Sequence, residues 1–99
     1  MDLRVSIVEI RGKCPVYQAG NSFLLKSGYV LDTKRSSPVC MHSLASILPY
    51  YVALSRGVEP EMLGLSPSRG KHARVQCLDP CEYTEGGTVV LEITRVENT

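Results

Sequence analysis

The chain has no tryptophan and one phenylalanine, and its acidic and basic residues nearly balance, which leaves a formal net charge of +1. So few aromatic residues disfavour a stacking platform for single-stranded nucleic acid. So little net charge provides no field that would attract nucleic acid, a membrane surface or an acidic substrate. The basic cluster at positions 69–74 is better explained as a solvated edge. We therefore expect neither nucleic acid nor a membrane among the partners of this protein.

The sequence also lacks a long hydrophobic run, a glycine-rich phosphate loop, a nucleophile elbow and a paired-carboxylate pattern. The first apolar stretch, Leu3 to Ile10, contains Ser6 and Glu9 and is too short and too polar for a signal peptide or a membrane span. We therefore expect a cytoplasmic protein. Because thiols stay reduced there, the four cysteines are expected to be free thiols, metal ligands or redox groups rather than two disulfides.

Length and patterning predict one α+β domain over residues 1–99, with a mostly antiparallel sheet and one long helix on one face. Period-two alternation and turn formers predict the strands, which are Leu3–Ile10, Ser22–Leu25, Tyr29–Leu31, His72–Leu78 and Thr88–Val96. The apolar residues at the end of the first strand change face, which indicates either cover on both sides or a β-bulge. Residues 58–71 are predicted to form a short helical turn followed by a loop.

The long helix is predicted from Pro38 to Arg56, with Ser37 as its N-cap and Gly57 as its stop. Apolar residues recur along one stripe at steps of three and four. Pro49 lies inside this pattern, and a proline removes a backbone donor and clashes with the carbonyl four residues earlier. The sequence therefore predicts one helix that is kinked at Pro49.

The four cysteines are the residues on which chemistry would depend. Cys40 lies near the predicted helix start, where free backbone N–H groups would favour a thiolate. Equally, Cys40 could be an inert residue that is buried as a small hydrophobic side chain. Cys14 follows the first strand, where sites tend to gather, and could equally be an inert loop residue. Cys77 and Cys81 are spaced like two ligands of one metal, although a single such pair is a weak signal. His42 is predicted to lie on a different helical face from Cys40.

Several segments of the chain, read in order, match a pattern found in other sequences. They are Val8–Pro15, Gly20–Phe23, Cys40 at a helix start, Leu48–Tyr50 with Ala53 and Leu54, Val75–Pro80 and Val89–Val96. In these segments the chain resembles a family of small uncharacterised cysteine-containing proteins of anaerobic bacteria and archaea. The resemblance implies that Cys14, Cys40 and Cys77 are the recurring cysteines and that Cys81 is outside the set. The chain departs from the family at Asn21, usually aspartate, and at Leu78, usually proline.

Three functions remain open at this point. In the first, Cys14, Cys40 and Cys77 converge and bind a soft metal such as zinc or an iron–sulfur centre. In the second, the chain is a thiol redox enzyme or sulfur carrier with Cys40 as the reactive thiolate. In the third, the cysteines are inert core residues and the protein associates with a protein partner or with a second copy of itself. Of these, the metal-binding module is the function that we expect.

Overall fold

The computed structural model describes residues 1–96, so residues 97–99 of the predicted domain lie outside the described part of the chain. The strands are β1 (Asp2–Gly12), β2 (Ser22–Lys26), β3 (Val30–Leu31), β4 (Ala73–Gln76) and β5 (Gly87–Val96). The helices are α1 (Met41–Ile47), α2 (Tyr51–Ser55) and α3 (Cys81–Thr84), and a 3-10 turn spans Pro60–Leu63. Within these residues no helix has the length and apolar character that crossing a membrane would require.

The five strands form one antiparallel sheet in the order β3-β2-β1-β5-β4. The long strands β1 and β5 pair at its centre, and their register shifts between Ile7 and Glu9. This shift is a β-bulge, one of the two alternatives for the end of the first strand. Because one residue is inserted, Val8 is left exposed and Ile10 returns to the face that packs against the core. The bulge therefore extends the apolar face of β1 toward its C-terminal end.

The core lies on one face of the sheet. Alternate residues of the central strands are buried there because side chains of a strand alternate between faces, and the helices cover them. Its most buried strand residues are Leu3, Val5, Phe23, Leu91 and Ala73, and the helices contribute Ile47 and Leu54. Tyr17, from the loop between β1 and β2, stacks on Phe23 with ring centroids 6.4 Å apart. The core therefore joins the first loop, the sheet and the helices.

The β2–β3 hairpin turns at Ser27 and Gly28, both with positive φ, 55° and 80°. This is the conformation that short hairpin turns need and that glycine adopts without a Cβ penalty. A Cβ on Gly28 would lie 2.3 Å from the Cβ of Ser55. The missing side chain therefore allows the end of α2 to approach the hairpin closely.

The prediction of one long kinked helix is wrong. The segment forms two short helices, α1 and α2, and Leu48, Pro49 and Tyr50 form a turn between them. Pro49 has no N–H to donate to the carbonyl of Ala45, and the next N–H, from Tyr50, bonds to Ile47 O at 2.9 Å instead. The proline therefore ends α1 and breaks the helix, where a bend had been expected.

The predicted helix start at Ser37 and Pro38 is also wrong, because residues 36–40 are not helical. The N–H of Ser37 bonds to Ser22 O at 2.9 Å, and the hydroxyl of Ser36 accepts the N–H of Leu24 at 3.0 Å. These bonds hold the segment along β2 and outweigh the local signal for a helix start. The helix begins four residues after Ser37, at Met41.

If Pro49 causes the break, Pro49→Ala should let α1 and α2 join into one longer helix. Pro49 is exposed, so the free energy of unfolding should change by less than about 1 kcal/mol. The far-ultraviolet circular dichroism should show more helix, since the restored N–H can bond to Ala45 O. An unchanged spectrum would indicate that packing against the sheet, rather than the proline, sets the break.

Candidate functional site

Cys14, Cys40 and Cys77 line one cavity of about 160 Å³, although they are far apart in sequence. We call it the thiol cavity. Its other lining residues are Pro15, Tyr17, His42, Asp79, Gly86, Gly87 and Val89. The described residues include larger hollows, but those hollows do not gather three thiols. The thiol cavity is therefore the place at which thiol chemistry would occur.

The sheet topology brings Cys14 and Cys77 together, and a contact of α1 places the helix that follows Cys40 beside them. β1 and β5 are antiparallel with Gly12 opposite Gly87, so the end of β1 meets the start of β5. β4 also runs antiparallel to β5, with Gln76 opposite Val90, so β4 ends at the same place. Cys14 follows β1 and Cys77 follows β4. The hydroxyl of Ser46 in α1 donates to Gln76 O at 2.5 Å and fixes the helix beside the end of β4.

The Cys14 segment passes directly over Gly87. The N–H of Lys13 bonds to Gly86 O at 3.0 Å, which fixes the chain there. A Cβ on Gly87 would lie 2.6 Å from the backbone nitrogen of Cys14, a distance that side chains do not tolerate. The sulfur of Cys14, which is half-buried, accepts the N–H of Tyr17 at 3.2 Å. Glycine at position 87 is therefore what lets Cys14 lie against the start of β5.

Cys77 is buried and its sulfur takes part in two contacts with β5. It accepts the N–H of Val89 at 3.2 Å, and its thiol donates to Gly87 O at 3.5 Å. Hydrogen bonds from N–H groups to sulfur also tune metal-bound cysteines. Cys14 and Cys77 each have one such donor.

Cys40 is the N-cap of α1 rather than its third residue, with extended backbone angles φ −83° and ψ 130°. The predicted placement within the first helical turn is therefore wrong. Its N–H donates to the phenol oxygen of Tyr17 at 2.9 Å, and its carbonyl accepts the hydroxyl of Ser43 at 2.7 Å. The oxygens of Tyr17 and Ser43 are 2.7 Å apart, which closes a ring of hydrogen bonds. This ring fixes the start of α1 at the cavity.

Tyr17 connects two of the thiol-bearing segments, because its N–H bonds to the Cys14 sulfur and its phenol bonds to the Cys40 backbone. Burial raises the pKa of the Tyr17 phenol, although the hydrogen bonds to Ser43 and Cys40 act in the opposite direction. Negative charge on Cys40 and Cys14 would raise that pKa further. The phenol is therefore a neutral hydrogen-bonding group at the base of the site.

His42 and Asp79 also reach the thiol cavity. The prediction that His42 and Cys40 lie on different helical faces is wrong, because Cys40 precedes the helix and helical angles do not apply to it. The carboxylate of Asp79 is already engaged, since it accepts the hydroxyl of Thr84 and the N–H of Gly87. Asp79 therefore closes the connection between β4 and β5, whereas His42 is exposed at the cavity.

Cys81 is separated from the other three cysteines. It starts α3 and lines a different hollow together with Arg11, Tyr83 and Thr88. Its N–H is bonded to the hydroxyl of Thr88 at 3.2 Å. The structure thus groups Cys14, Cys40 and Cys77 and does not pair Cys77 with Cys81 in one cavity.

The donor set of the thiol cavity suits a soft metal in kind, because thiolate and imidazole ligands select zinc, copper(I) and iron–sulfur centres. The side chains do not yet surround a common point, because within residues 1–96 no three His, Cys, Asp or Glu side chains are arranged to hold a metal ion. Two of the three sulfurs instead contact backbone groups. The residues therefore fit the chemistry of a metal site and would have to turn toward a shared centre.

Comparison of the chain with protein-family models, with curated proteins and with solved structures finds no match. The resemblance to cysteine-containing proteins of anaerobes therefore stays a prediction. Sequence reasoning overlooked the roles of Tyr17, Asp79 and the Gly86–Gly87 pair. The available signals were an aromatic residue three positions after Cys14 and two glycines directly before the predicted strand Thr88–Val96.

Proposed function

We propose that this protein is a small metal-binding module that holds a soft metal ion or an iron–sulfur centre with Cys14, Cys40 and Cys77. The observation that carries the proposal is the convergence of these three thiols, from three separate segments, on one cavity. The same three cysteines also pack with the hydrophobic core, so metal analysis and serine variants of the cysteines are what separate metal ligands from inert core residues. Cys81, the fourth thiol, lies elsewhere and serves as an internal comparison.

The hydrogen bonds to sulfur support the same proposal. Cys14 and Cys77 each accept a backbone N–H, and such donors stabilise sulfur that carries negative charge. Metal binding requires deprotonated thiols, so the proton that Cys77 shares with Gly87 O would be released. The N–H donor to the buried Cys77 would remain and would hold that sulfur in the metal-bound form, whereas Cys14 would exchange its N–H contact for the metal.

Binding would require a local rearrangement of the side chains. Rotation about the Cα–Cβ bond moves a cysteine sulfur between staggered positions, and an exposed or half-buried thiol can make that change at little cost. Cys14 and Cys40 are half-buried, so their sulfurs can turn once Cys14 gives up its contact with the N–H of Tyr17, whereas Cys77 is buried and provides the fixed ligand. Because a metal that binds only the folded protein stabilises it, the module should be more stable with metal bound.

The test is metal analysis of protein purified without oxygen, followed by titration of the metal-free protein with zinc and iron(II). We expect about one metal centre per chain, and at a metal concentration of 100 times the dissociation constant we expect about 2.7 kcal/mol of added stability. Cys14→Ser, Cys40→Ser and Cys77→Ser should each weaken binding at least about tenfold. Serine can keep both hydrogen bonds of Cys77, so this variant should still fold.

Cys81→Ser is the matched control and should bind metal as the unchanged protein does. Equal binding by all four serine variants, or no metal under any of these conditions, would contradict the proposal. A metal-free protein whose Cys40 is alkylated rapidly below about pH 7 would instead support a thiol enzyme.

We also propose that the protein works in the cytoplasm. The support is that all four cysteines, each within the described residues, are free thiols. Free thiols persist in reducing compartments and become disulfides in oxidising ones. Maintenance of four free thiols after expression in an oxidising compartment would argue against this location.

A further inference from the structure

We infer that the bound metal is a single zinc-type ion and that His42 is its fourth ligand, which gives a Cys3His set with Cys14, Cys40 and Cys77. This inference rests on the proposed function, because it names the ion class and completes the ligands of the same site. Tetrahedral zinc sites need four ligands, and Cys3His is one of the usual sets. The three thiols supply only three of them.

The position of His42 follows from the geometry of α1. Side chains at a helix start are tilted back toward the N-terminus, because every Cα–Cβ bond of a helix points in that direction. His42 is the second residue of α1 and Cys40 is its N-cap, so both residues lie at the same end of the helix. Accordingly, His42 lines the thiol cavity. It is exposed and able to rotate.

The other polar groups of the cavity are already engaged. Both carboxylate oxygens of Asp79 accept hydrogen bonds, from Thr84 and from Gly87. The phenol of Tyr17 is bonded to Ser43 and to the backbone of Cys40. Of the polar side chains that line the cavity, His42 is the one that can become a ligand without breaking a hydrogen bond that holds the site together.

One imidazole beside three thiols also narrows the class of metal. Iron–sulfur clusters are held most often by four cysteines, whereas zinc accepts mixed sulfur and nitrogen ligands. Cys81, which could complete a four-cysteine set, lines a different hollow. The ligand set therefore favours a single ion over a cluster.

The experiment is a titration of metal-free protein with cobalt(II), which occupies tetrahedral zinc sites and absorbs visible light there. His42→Ala should weaken cobalt binding at least about tenfold and change the visible spectrum, because water replaces a nitrogen ligand. His42→Cys should restore binding and increase the ultraviolet absorption from sulfur-to-metal charge transfer. Both changes are at an exposed position, so the folded protein should persist.

His72→Ala is the matched control, because the chain has only two histidines and His72 is exposed beside a different hollow. This variant should keep the cobalt spectrum and affinity unchanged. If His42→Ala binds cobalt with unaltered affinity and spectrum, the inference is overturned while the three-thiol site stands. If the unchanged protein binds neither cobalt nor zinc, the proposed function itself is overturned. Cluster assembly in place of a single ion would overturn the inference alone.

Discussion

Gly87→Ala is expected to lower the free energy of unfolding by about 3 kcal/mol and to abolish the proposed metal binding at the thiol cavity. The new Cβ would lie 2.6 Å from the backbone nitrogen of Cys14 and 2.7 Å from the carbonyl carbon of Lys13. Those atoms are backbone and cannot be moved by a change of rotamer. The Cys14 segment would have to lift away from β5, and its sulfur would move with it.

Urea unfolding of the metal-free protein and a metal titration of the same sample measure the two effects separately. Gly20→Ala is a useful control because Gly20 has φ +88° and no atom within 4 Å of an added Cβ. Backbone strain alone should cost that variant about 1 kcal/mol and leave the thiol cavity intact. If Gly87→Ala retains metal affinity, or is no less stable than Gly20→Ala, the close approach of Cys14 to β5 is not what positions this thiol.

The strands were the part of the fold that sequence could predict, because alternation along a strand directly reports which residues face the core. β1, β2 and β5 each lie within two residues of their predicted ends. The prediction of a single long helix was wrong because the apolar periodicity continues through Pro49, whereas the helical hydrogen bonding of the backbone is interrupted there. Its predicted start failed because hydrogen bonds of Ser36 and Ser37 to β2, which are not local in sequence, hold that segment extended.

The candidate site was predictable only in its cysteines. Cys14 and Cys77 each follow a strand that pairs with β5, so antiparallel pairing brings them to one end of the sheet. His42 was set aside because helical angles were applied to Cys40, which lies before the helix. Tyr17 was visible only as an aromatic residue three positions after Cys14, since its role depends on the tertiary approach of its phenol to the start of α1. Long-range contacts of this kind have no periodic signal.

Tyr17→Phe is expected to lower the free energy of unfolding by about 2 kcal/mol, although it removes a single oxygen. The oxygen accepts the N–H of Cys40 at 2.9 Å and bonds to the hydroxyl of Ser43 at 2.7 Å. Phenylalanine would keep the stacking on Phe23 but leave both partners short of a hydrogen bond near the core. Because the start of α1 is fixed by this ring of bonds, metal affinity should also decrease.

The pH dependence tests whether the oxygen is buried as a neutral phenol. Burial raises the Tyr17 pKa above its ordinary value of 10.0, so above about pH 10 the folded protein keeps a proton that the unfolded chain releases. Stability from this group is therefore complete below about pH 10 and is lost as the pH rises toward the folded pKa. The other four tyrosines are present in both proteins, so their titration cancels in the comparison.

Urea unfolding of the two proteins at about pH 7 and about pH 11 should thus give a stability difference that is smaller at the higher pH. Tyr51→Phe is the matched control, since Tyr51 is half-buried in α2 and lines no part of the thiol cavity. Tyr51→Phe should match the unchanged protein in stability at both pH values and in metal affinity. A Tyr17→Phe variant that is as stable as the unchanged protein, with the same loss of stability in alkali, would mean that the phenol does not hold the Cys40 segment at the site.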